Sequence, residues 1–140
     1  TAHQAGVLHG HLSDAHLLLT ADGSLKICGL GEPAWLVGIT PEEAPSVRED
    51  LRALGRIASS WCTPTGVRKG AKTKPLPEAM VSILYRLAAD GSTAYTSAAE
   101  LLADLHEASD AIPANAEAWD RLLKYVRDHG AAEVTLRRSA

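Results

Sequence analysis

Val7 to Gly31, reading VLHGHLSDAHLLLTADGSLKICGLG, holds the strand signal that decides the fold. Two strand-like triplets, Leu17-Leu18-Leu19 and Leu25-Lys26-Ile27, flank the turn sequence Ala21-Asp22-Gly23-Ser24. An Asp-Gly pair tolerates the backbone angles of a tight turn, so the spacing predicts a short two-stranded hairpin. A loop carrying His9-Gly10-His11-Leu12 leads into it, and Gly29-Leu30-Gly31 follows it.

Outward from this stretch the pattern is helical. Val47 to Trp61 places Leu51, Leu54, Ile57 and Trp61 on one face, behind a capping box formed by Ser46 and Glu49. A second helix starts at Pro77, carries Met80, Ile83, Leu84 and Leu87 at helical spacing, and ends near Gly91. Ser97 and Glu100 cap a third, with Ala98, Leu101, Leu102 and Leu105 on its apolar side. The last, from about Asn115 to His129, sets Trp119, Leu122, Leu123 and Val126 on one face and is expected to stop at Gly130. Residues 131–140 lack periodicity and read as a flexible tail. The fold class is therefore mainly α with a short β-hairpin, one domain over residues 1–130.

The chain has 140 residues, 46% of them hydrophobic, a net charge of −3 and no apolar run of membrane-spanning length. That balance describes a globular body and gives no polyanionic partner to expect. Arg68, Lys69, Lys72 and Lys74 lie in a Gly- and Pro-rich loop without interleaved aromatic residues, so they read as a solvated loop and not a nucleic-acid surface. Cys28, expected on a buried strand, and Cys62, at a helix end, suit free thiols in a reducing compartment.

The central stretch resembles the larger lobe of protein kinases, in which H-R-D-L-x-x-x-N on a catalytic loop is followed by a hairpin and D-F-G. His9-Gly10-His11-Leu12 falls on the start of that loop, His16 on its asparagine and Gly29-Leu30-Gly31 on D-F-G. Thr1 to Gly6 resembles the end of the preceding helix, and Ala44-Pro45-Ser46 the A-P-E that closes an activation segment. Asp50-Leu51-Arg52-Ala53-Leu54-Gly55 resembles the central helix, whose aspartate holds the catalytic loop's backbone. The resemblance spans about residues 1–108, so the smaller, nucleotide-covering lobe is expected outside this chain.

It keeps the skeleton and loses the chemistry. Kinases use the loop aspartate to accept the substrate proton, and the asparagine and the D-F-G aspartate to hold metal ions. The matching positions here are His11, His16 and Gly29, and the loop's usual lysine is Ser13. Imidazole is a poor ligand for Mg²⁺ and glycine offers no side chain. Ser46 replaces the A-P-E glutamate and Ala94 its arginine partner, so both halves of that ion pair are lost together. His9, Leu30 and Asp50 retain structural roles by the resemblance, with His9 and Leu30 packed in the interior. The chain is thus similar to a bacterial pseudokinase, not an enzyme, with no cofactor.

For such a domain the resemblance implies a scaffold in the regulation of peptidoglycan synthesis. It would be cytoplasmic, the intracellular part of a membrane protein without direct membrane contact of its own. An active Ser/Thr kinase would phosphorylate it and a forkhead-associated domain would bind the phosphothreonine. Thr135, in the expected tail, is the leading acceptor, and Thr40, in the shortened activation segment, the second. Two other readings stand beside this one: a nucleotide sensor without phosphotransfer, and a metal-binding module built on His9, His11 and His16, with His3 as a further ligand.

Overall fold

The computed structural model describes residues 2–33, 36, 38, 45–62, 75–109 and 115–137, the last eight by backbone alone. It is mainly helical with one antiparallel hairpin. In order come a 3₁₀ turn His3–Ala5, a second at Asp14–His16, strands β1 (Leu17–Leu19) and β2 (Leu25–Ile27), helices α1 (Val47–Cys62) and α2 (Glu78–Ala88), a 3₁₀ turn Gly91–Thr93, then α3 (Ala98–Ser109) and α4 (Ala116–Arg137). The chain separates into two compact units, one of residues 1–14 with 29–113 and one of residues 15–28 with 114–140.

The larger unit is built on α1. Ser46 caps it, its Oγ accepting from the Glu49 N–H at 3.1 Å. Its buried positions form two stripes: Asp50, Ala53 and Ile57 on one side, Leu51 and Gly55 on another. A helix buried on two sides is the centre of its unit, more than the single expected stripe provides. Gly55 shows why the second side is close-packed, because a Cβ built there would stand 2.7 Å from the Leu87 Cβ of α2. Leu51, Ile83, Leu87, Tyr95, Leu101 and Ala108 form the core, flanked by half-buried Val47, Leu54, Leu84 and Leu105.

Two residues expected in this core lie outside it. Trp61 is 60% exposed, since it sits in the last turn of α1, past the packed cluster. Leu102 is 50% exposed, because α3 turns its neighbour Leu101 inward and adjacent helical positions point about 100° apart. α2 ends at Ala88, short of the expected Gly91, where the extended Ala89 stops it.

In the smaller unit β1 and β2 pair with Leu17 opposite Ile27, Leu18 opposite Lys26 and Leu19 opposite Leu25. The turn is held by Asp22, whose Oδ1 accepts from the Ser24 N–H at 3.1 Å and from the Thr20 hydroxyl. Those bonds, the hydroxyl's first, hold its carboxyl below the ordinary range. Gly23 takes φ +87° and approaches Trp119 and Leu123 of α4 to within ordinary contact of a built Cβ. Arg127 of α4 donates to the Ala21 carbonyl at 3.2 Å, and Leu123 is buried. Cys28, expected on a buried strand, follows β2 and is exposed, its thiol donating to the His16 carbonyl at 3.3 Å.

Asn115 caps α4, its Oδ1 accepting from the Ala118 N–H at 3.0 Å. The helix passes through Gly130 and runs to Arg137, beyond the expected stop. An interior glycine costs a helix about 1 kcal/mol, which Ala131, Ala132, Glu133 and Leu136, good helix formers, offset. No helix of the described residues is long and apolar enough to cross a membrane.

Candidate functional site

The loop that begins at His9 is held by one carboxylate from α1. Asp50 lies in the first turn of α1 and is buried. Its Oδ2 accepts from the His9 N–H at 2.9 Å and its Oδ1 from the Gly10 N–H at 2.8 Å. His9 itself is only 5% exposed, as expected of it. Gly10 meets the close approach with φ +80°, and a Cβ there would press on Pro45 at 3.3 Å. Asp50 thus makes the backbone contact expected of the central-helix aspartate.

A third partner was not legible in the sequence. The His3 ring lies 2.9 Å from Asp50 Oδ2 through Nε2, tying the first 3₁₀ turn to α1. An ionised carboxylate only accepts, so Nε2 carries the proton in this contact. Burial pushes the Asp50 carboxyl up, but the His9 and Gly10 N–H bonds and the His3 ring together outweigh it and hold it below the usual range. With three donors upon it, this carboxylate is a structural acceptor and not a free base.

The positions that carry chemistry in a kinase hold no acid. His11 is half-buried, its ring edge-on to that of His9 with centroids 4.9 Å apart. His16 belongs to the smaller unit and Gly29, at φ +78°, to the larger. Asp14, the nearest acid in sequence, is exposed. Leu30, expected in the interior, is 48% exposed, since it stands on a turn between Gly29 and Gly31, both at positive φ. Among the described residues no group of three or more His, Cys, Asp or Glu side chains is placed to hold a metal ion, which leaves the histidine-ligand reading without a site. Thr40 and the basic loop residues Arg68, Lys69, Lys72 and Lys74 lie outside the described residues, and Thr135 falls within α4.

Two ion-pair networks complete the larger unit. Ala94 is buried, and the segment it belongs to binds the start of α1: Arg48 reaches Asp90 at 2.8 Å and Arg52 pairs with the same carboxylate. The cations lie on α1 and the anion on the segment after α2. Between α2 and α3, Arg86 pairs with Glu100 and Asp104 and lies 4.0 Å above the Tyr95 ring. The Tyr95 hydroxyl donates to Asp104 at 2.7 Å, and burial, with that carboxylate beside it, pushes the phenol up to about 12. Glu100 and Asp104 stand four apart on α3, the one signal in the sequence that pointed to a shared cation.

Compared with known proteins, the chain matches no family model, no curated protein and no solved structure.

Proposed function

We propose that this chain is the larger lobe of a catalytically inactive pseudokinase, acting as a phosphorylation-dependent scaffold. The observation that carries the reading is the Asp50 contact. A loop with kinase-like sequence spacing is held by a central-helix carboxylate through two backbone N–H groups, while its reactive positions carry His11, His16 and Gly29. A backbone kept in place without its acids fits a surface for partners better than a phosphotransfer site.

Within that class the motifs are similar to the cytoplasmic pseudokinase domain of mycobacterial MviN. On that likeness the chain is the intracellular domain of a membrane protein and takes part in controlling peptidoglycan synthesis. A Ser/Thr kinase modifies Thr135 or Thr40, and a forkhead-associated domain reads the phosphothreonine. Such a domain binds its peptide extended, so reading Thr135 requires the end of α4 to unwind. The interior Gly130 is where that unwinding costs least.

The test has two arms. Titration of ATP with Mg²⁺ or Mn²⁺ into a protein that carries both lobes, followed by a phosphotransfer assay, should give no transfer; metal-dependent autophosphorylation would overturn the reading, and binding without transfer would replace the scaffold by a nucleotide sensor. Treatment with an active bacterial Ser/Thr kinase, mass-spectrometric mapping and forkhead-associated-domain binding should then show loss in Thr135→Ala. Loss only in Thr40→Ala would move the switch to the activation segment, and loss in neither would remove the phosphothreonine role.

A further inference from the structure

We draw no further inference here: the strongest candidate, the apolar recess at the start of α4 lined by Asn115, Ala116, Ala118, Trp119 and Leu122, carries nothing because nothing in the structure shows what covers it.

Discussion

Replacing Asp50 by alanine takes the acceptor away from three donors at once: the His9 N–H at 2.9 Å, the Gly10 N–H at 2.8 Å and the His3 ring at 2.9 Å. The His9 bond is buried and the Gly10 bond partly so. An unpaired buried donor costs about 1–3 kcal/mol, and a partly exposed one less because water reaches it. The His3 side chain is 20% exposed and can turn to solvent, so it adds little. Together these give a loss of about 2–4 kcal/mol, or about 10 °C in melting temperature for a chain of this size. Asp50→Asn keeps one acceptor oxygen and should lose about half as much.

The pH dependence gives an independent check. A carboxyl whose folded pKa lies below its unfolded value stabilises the protein fully above the unfolded value, about 3.9, and loses that contribution as pH falls through the folded one. The gap between parent and Asp50→Asn should therefore be constant from pH 7 to about 5 and narrow below about 4. Urea titration followed by far-UV circular dichroism measures both quantities. An Asp50→Ala protein that unfolds at the parent's urea midpoint would refute the role of this carboxylate in holding the histidine loop.

Gly55→Ala should destabilise by about 1–3 kcal/mol despite the gain of about 1 kcal/mol that alanine brings to a helix interior, because the new methyl meets Leu87 Cβ at 2.7 Å; a rise in melting temperature would show that α1 and α2 separate freely. Tyr95→Phe keeps the ring under Arg86 and strands the Asp104 contact, for a loss of about 1–2 kcal/mol at pH 7. The Tyr95 phenol is raised to about 12, so above pH 10 the unfolded chain ionises first and stability falls as pH climbs toward 12. Urea midpoints across that range should show a steeper decline for the parent than for Tyr95→Phe, and equal slopes would contradict it. Asp90→Ala should cost less than about 1 kcal/mol, with the deficit shrinking in 1 M salt, since its carboxylate is 78% exposed; a salt-independent loss would mean that Arg48 and Arg52 hold it by more than charge.

The elements were legible because their signals are local. Ser46 and Ser97 mark helix starts by side-chain chemistry that acts within three residues and accept the expected N–H bonds, and Asn115, the expected start of the last helix, accepts one as well. The hairpin followed from Asp22-Gly23 between two short strand-like segments, and the contact of Asp50 from the resemblance of residues 50–55 to a kinase's central helix. What failed depends on how elements meet. Trp61, Leu102 and Cys28 lie in apolar stretches and Leu30 was expected inside by the resemblance alone, yet all four are exposed or lie past the packed cluster, which the pattern of one segment does not tell. The end of α4 was misjudged because a glycine is both a helix stop and a tolerated interior residue, and the alanines after it decided the matter. The His3 contact left no trace, since nothing in the turn His3–Ala5 announces a partner 47 residues away.

The Asp50 contacts join residues separated by 41 and 40 positions in the chain. Closing a loop of that length costs on the order of 3 kcal/mol in chain entropy, about as much as the contact returns. Formed alone, the tie between α1 and the histidine loop would give no net gain. It becomes favourable once α1 presents the carboxylate and further contacts of the first ten residues, the His3 ring on Asp50 and Gly10 against Pro45, form with it. The loop is therefore among the last parts of its unit to settle, and mutations at Asp50 should accelerate unfolding while leaving the folding rate nearly unchanged. Within the larger unit the helices are therefore expected to acquire structure before the first ten residues do.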